Sequence, residues 1–196
     1  MNPRFPLAAL VVASSWLLHC SGSDTNNFQG YFATVQTTNG LTLGVSLLGP
    51  DGTNSTESPI ELDFKAPVGA RSVLFVPKEE YLARLHLWDA SNIPAPTTTL
   101  GTNYGRSFGD LYYDIKKFAS QPHGPRGPGD SWQVATRLPK LSDLFELPKP
   151  GRYRLRLEIQ VLLQYLDTRG PQVRQVVRFQ PTDVWVVKPE PLRGAK

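Results

Sequence analysis

The chain has 196 residues, a formal net charge of +4, 40% hydrophobic side chains, 18 Pro and 16 Gly, but a single Cys and a single Met. That length suits one domain, and that apolar fraction supports a packed core and excludes global disorder. The density of Pro and Gly argues against a helical bundle, the small basic excess leaves no polyanion-binding tail, and one cysteine excludes an intrachain disulfide.

Residues 1–23 read as an export signal. Arg4 and the amino terminus form a positive start, and Leu7 to Leu18 is an uncharged stretch of twelve residues. Such a stretch has the length of a signal-peptide apolar region and is too short to span a bilayer comfortably. The lone Cys20 follows at once, in Leu17-Leu18-His19-Cys20-Ser21. This run resembles a bacterial lipoprotein signal. The resemblance implies that Cys20 is acylated, becomes the mature N-terminus and tethers the chain to a lipid bilayer. His19 departs from the small residue that the lipoprotein pattern has before its cysteine. Ser21-Gly22-Ser23 alternatively fits the small-x-small rule of ordinary signal peptidase, with Asp24 as the new terminus. The expected location is therefore outside the cytoplasm, as a tethered lipoprotein or as a free periplasmic or secreted protein.

Residues 24–27 form a short polar tether. Alternation from Phe28 to Leu48 around Asn39-Gly40 predicts a hairpin, because a two-residue type I′ turn needs positive φ at both central positions. Residues 49–59 are a loop by their Gly, Pro, Asn and Ser content. Ile60, Leu62 and Phe64 alternate as a strand, the chain turns at Pro67–Gly69, and Ser72–Val76 is a second short strand. Tyr81, Ala83, Leu85 and Leu87 then form one strand face, with Arg84, His86 and Trp88 on the other; the alternation favours this strand over a helix spanning 78–88. Residues 89–130 lack periodicity and read as a long irregular insertion, within which Leu111–Phe118 is a short helix or turn. Leu141–Leu147 predicts a turn of helix. From Arg152, Tyr153, Leu155, Leu157, Ile159 and Val161 alternate with Arg154, Arg156, Glu158 and Gln160, the pattern of an antiparallel strand with one wet face. Val173–Phe179 and Val184–Val187 make a last strand, interrupted at Pro181 by a bulge or a change of sheet. Residues 189–196 are a tail. The expected fold is all-β, a single antiparallel β-sandwich over residues 28–188 with the loop insertion 89–130.

Leu147-Pro-Lys-Pro-Gly151-Arg-Tyr153-Arg-Leu155-Arg-Leu157 resembles the entry into the late strand of immunoglobulin-like and fibronectin type III-like sandwiches. The resemblance implies that Gly151 opens the strand and that Tyr153 is the corner tyrosine, hydrogen-bonded to upstream backbone. It also puts Leu155 in the slot of the second immunoglobulin cysteine. It covers about ten residues and speaks to architecture, not to activity.

Candidate chemistry is sparse. Beyond the signal, His86 and His123 are too few for a zinc site, and no Gly-x-Ser-x-Gly accompanies them. Asp110 and Asp114, beside Tyr112 and Tyr113, are the best pair of carboxylates for a hydrolase. No phosphate-cradling motif is present, metal ligands are scarce and the basic excess is small, and no cofactor, metal or nucleic-acid partner is expected. Arg152, Arg154 and Arg156 share one strand face and would attract an anionic glycan or lipid headgroup. A solvated face whose Arg stems cover apolar surface is the plainer reading. Tyr104, Phe108, Tyr112, Tyr113 and Trp132 flank the irregular region, either as a ligand surface or as a cluster packed beneath a loop. Arg126, in the Pro-stiffened loop 121–129, would suit a protease inhibitor. The expected function is a non-catalytic binding or structural module of the cell envelope, with an envelope protein or glycan as partner. Secreted protease inhibitor and hydrolase are the alternatives.

Overall fold

The computed structural model describes residues 33–66, 71–108, 124, 131–165 and 174–191. The signal and its Cys20, the tether, Asp110, Tyr112, Tyr113, Asp114, His123 and Arg126 lie outside the described residues. Among the described residues, nine strands and three helices of one turn or slightly more follow in chain order. They are β1 (Thr34–Thr38), β2 (Leu41–Ser46), β3 (Pro59–Ala66), β4 (Ser72–Phe75), α1 (Glu79–Leu82), β5 (Ala83–Asp89), α2 (Thr99–Asn103), β6 (Trp132–Lys140), α3 (Leu141–Leu144), β7 (Gly151–Tyr165), β8 (Arg174–Arg178) and β9 (Thr182–Lys188).

The protein is all-β, with two antiparallel sheets that share one core. The first sheet has the order β1–β2–β3–β6. Its opening hairpin turns at Asn39 and Gly40, with φ of 51° and 75°, the positive values that a two-residue turn requires. In β3, Ile60, Leu62, Phe64 and Ala66 point inward, and Glu61, Asp63 and Lys65 point outward.

The second sheet is organised by β7. Its first half pairs with β5 on one side and β9 on the other, and its second half with β4 and β8. The Tyr153, Leu155, Leu157, Ile159, Val161 and Leu163 side chains enter the core. Beyond Glu158 the outer side of β7 is buried too, at Gln160, Leu162 and Gln164. The Gln160 amide donates to the Tyr81 and Phe108 carbonyls and its oxygen accepts from Arg178 Nε, so this buried polar group is satisfied.

Both flanking partners of β7 are broken strands. Between β8 and β9 the register against β7 slips by one residue, which is a bulge and not a change of sheet. The slip has a cause in the pattern. Val177 and Phe179 are buried at odd positions and Val184 and Val186 at even ones, so one extra residue keeps both sets facing inward. Pro181 occupies the bulge, where no ladder N–H is needed. Phe179 crosses the core to Phe64, ring centroids 6.1 Å apart.

One expectation is corrected. The segment over 81–88 is not wholly strand, because one helical turn, α1, bulges out between β4 and β5. Within the irregular region 89–130 the one expected helical turn, Leu111–Phe118, lies outside the described residues, and the structure adds α2, whose Thr98 cap accepts from Gly101 N. In addition, β6 was not anticipated, although Trp132, Val134 and Leu138 alternate inward along it.

Candidate functional site

The outer face of β5–β7–β9 carries the Arg stripe. Strand periodicity places Arg152, Arg154, Arg156 and Glu158 on one side of β7, and the register supplies their neighbours. Arg156 lies between His86 and Asp183, and Arg154 between Trp88 and Trp185. Glu158 faces Arg84, and Arg152 faces Val187.

Each charge on this face has a definite environment. Arg156 donates to both carboxylate oxygens of Asp183, Nε to Oδ1 and one terminal nitrogen to Oδ2, each at 2.9 Å. That bidentate contact holds the Asp183 carboxyl below its ordinary range and raises the guanidinium. Glu158 takes Arg84 at 3.8 Å and His86 at 3.6 Å. Arg154 and Arg152 instead sit over indoles, Arg154 over Trp88 at 4.8 Å and Arg152 over Trp185 at 5.0 Å from the ring centroids. His86 also stacks on Trp88, ring centroids 5.8 Å apart. Trp185 remains 48% exposed. The result is a ladder of alternating aromatic and cationic groups on three paired strands.

The other sequence-predicted positions behave differently. Tyr104, Phe108 and Trp132 are buried, so these three aromatics are packing residues and offer no exposed surface. Arg84 lies over the Phe108 ring at 4.9 Å, joining that cluster to the edge of the ladder. Arg178, opposite Gln160 at the far end of the same face, donates through Nε to the Gln160 side chain. Tyr153 is buried and its hydroxyl donates to the Lys149 carbonyl at 2.7 Å, while Gly151 has φ of 137°. Among the described residues no group of three His, Cys, Asp or Glu is placed to hold a metal ion.

Trp185 and Asp183 were missed by sequence reading. Their signal was the alternation of Asp183, Trp185 and Val187 with Val184 and Val186, but their role needed the cross-strand register. On the opposite sheet, Asp63 hydrogen-bonds Gln133 at 2.6 Å, and burial pushes its carboxyl up. No helix among the described residues is long and apolar enough to cross a membrane. No protein-family model, curated protein or solved structure matches this chain.

Proposed function

We propose that this chain is a non-catalytic binding module exported to the cell envelope and tethered there through Cys20. The observation that carries the binding reading is the Arg–Trp ladder on the outer face of β5–β7–β9. It is a rigid, sheet-borne and partly exposed surface of aromatic and cationic groups. Sheet-borne side chains hold their spacing better than loop side chains, which suits recognition. The tether rests on the Leu-rich run before Cys20.

An immunoglobulin-like or fibronectin type III-like type of sandwich is part of the same proposal. Three features support it. The order β2–β3–β6 against β5–β7–β9 has the connectivity of the A-B-E and C-F-G sheets of such domains, with β1 added at one edge. The Tyr153–Lys149 hydrogen bond lies at the entry to the strand corresponding to F. The long connection from β5 to β6 falls where these domains vary in length.

Intact-mass and N-terminal peptide analysis of the chain made in a bacterial host tests the export and tether. A start at Cys20 with added acyl mass is expected, together with release of the Cys20→Ala chain from the membrane fraction. A full-length, uncleaved chain in the cytoplasm would overturn the proposal.

A further inference from the structure

We infer that the outer face of β5–β7–β9 binds an acidic polysaccharide, a sugar chain bearing carboxylates. The inference rests on the envelope-module reading and specifies its ligand. Four arginines stand on or beside the ladder, and two are already neutralised. Arg156 is clamped by Asp183, and Arg84 shares Glu158 with His86. Among the described residues neither Arg152 nor Arg154 makes a direct ion pair, although the Asp183 carboxylate lies near enough to Arg154 to be favoured by its charge.

Their stacking matters for recognition. A guanidinium lying over an indole is fixed in orientation while its other nitrogens can still donate. Arg154 Nε is buried without a hydrogen-bond partner, so contact with a ligand there falls to its terminal nitrogens. A planar carboxylate is the group that this fork matches in a bidentate manner. Because the fork is held before the ligand arrives, less side-chain freedom is lost on binding. Trp185, half exposed and beside Val187 at 38%, adds a flat apolar surface next to the charges. A sugar ring has apolar C–H faces and polar edges, so it suits an indole beside a guanidinium. Strands about 4.8 Å apart put Trp88, Arg154 and Trp185 in a row about 10 Å wide. That width takes an extended chain of rings laid across the strands.

Other occupants fit less well. Two cations without a direct ion pair give weak attraction to an anionic bilayer, where each basic residue adds only a modest increment. Protein hot spots sit in pockets that become fully desolvated. Four clefts among the described residues leave out Trp88, Arg154 and Trp185, and one of them, between Asp89, Pro94 and Lys149, takes in Arg152 at the end of the ladder.

The test is affinity electrophoresis of the full mature chain in gels containing polygalacturonate, with neutral dextran as control. Wild type should be retarded by polygalacturonate alone. Arg152→Gln with Arg154→Gln should weaken binding about tenfold or more. Trp185→Ala should weaken it several-fold, and the loss should persist in salt that screens the charges. Arg152→Lys with Arg154→Lys keeps the charge and removes the planar fork, and should lose most of the affinity. Arg137→Gln, an exposed arginine paired with Glu61 on the other sheet, should change nothing. The inference is overturned if polygalacturonate does not retard the chain, if the Lys pair binds as wild type, or if Arg137→Gln weakens binding as much as the ladder variants. Binding confined to vesicles containing phosphatidylglycerol also overturns it. An acylated Cys20 in a chain that ignores polygalacturonate would sink this inference alone. A chain that stays in the cytoplasm yet binds through the ladder would sink the envelope reading alone.

Discussion

The Tyr153 hydroxyl reaches back four residues and donates to the Lys149 carbonyl at 2.7 Å, bridging Pro150 and Gly151 at the start of β7. The ring itself is only 5% exposed, so the phenol fills core and ties down the turn together. Tyr153→Phe keeps the packing and removes the hydrogen bond. It should cost about 1 kcal/mol, the usual net worth of such a bond. Denaturant unfolding should show a lower midpoint with an unchanged slope. An unchanged midpoint would mean that the turn is held by its prolines alone.

Gly101 marks a close approach between α2 and α3. A Cβ added there would lie 1.9 Å from the Leu144 carbonyl oxygen, an atom already accepting from Thr98 N. Backbone cannot swing aside as a side chain can. Gly101→Ala should therefore destabilise by about 1–3 kcal/mol, as overpacking does. Gly40 is the control, because a Cβ there meets nothing within 4 Å and only its φ of +75° resists substitution. Gly40→Ala should cost about 1 kcal/mol. Thermal melts of the two variants should separate in that order.

The strands that could be read from sequence are those whose alternation is unbroken. Tyr153 through Val161 showed both faces of β7, and Asn39-Gly40 located the first turn. What escaped is instructive. Thr136 and Pro139 blur the alternation of β6, and the helical turn of α1 is too short to carry a period of its own. The Arg stripe was visible because period-two spacing is local. Its partners Trp185 and Asp183 were not, because pairing them with Arg154 and Arg156 depends on a register set by the bulge near Pro181. Tyr104 and Trp132 illustrate the converse: aromatic composition near a loop does not say whether a ring is inside or outside.

Two carboxylates should leave opposite marks on stability against pH. Asp183 is depressed by Arg156, so its contribution is complete above the unfolded value near 3.8 and is lost as pH falls through the folded value. Asp63 is raised by burial, so its sign is reversed: stability falls as pH rises from the unfolded value through the folded one. Asp183→Asn should flatten the acid limb, and Asp63→Asn should remove the loss on the rise above pH 4. Both effects should be small, since these side chains are partly exposed. Urea midpoints measured from pH 2 to 7 separate them. Identical profiles for wild type and Asp63→Asn would show that burial of that carboxyl costs nothing in the folded state.

The bulge between β8 and β9 holds one extra residue. Three residues, Phe179, Gln180 and Pro181, stand between paired positions where β7 has two, Glu158 and Ile159. Phe179 N still donates to the Ile159 carbonyl at 3.0 Å, so the ladder runs up to the irregularity. Deleting Gln180 leaves two residues opposite two, so both strands keep their partners: Val177 stays opposite Val161, and Val184 and Val186 stay opposite Leu155 and Tyr153. The buried positions 177, 179, 184 and 186 then alternate without a break, and no side chain exchanges core for solvent. The cost is local, because the bulge closes and Pro181 moves into the ladder opposite Glu158, where a residue without an N–H is tolerated only if that group would face away from β7. The deletion should therefore fold and cost about 1 kcal/mol, and Gln180→Ala, which keeps the bulge, should be close to neutral. Near-UV circular dichroism and denaturant midpoints of the two chains decide it. A deletion variant that fails to fold would show that the extra residue does more than absorb the odd-to-even switch of buried positions.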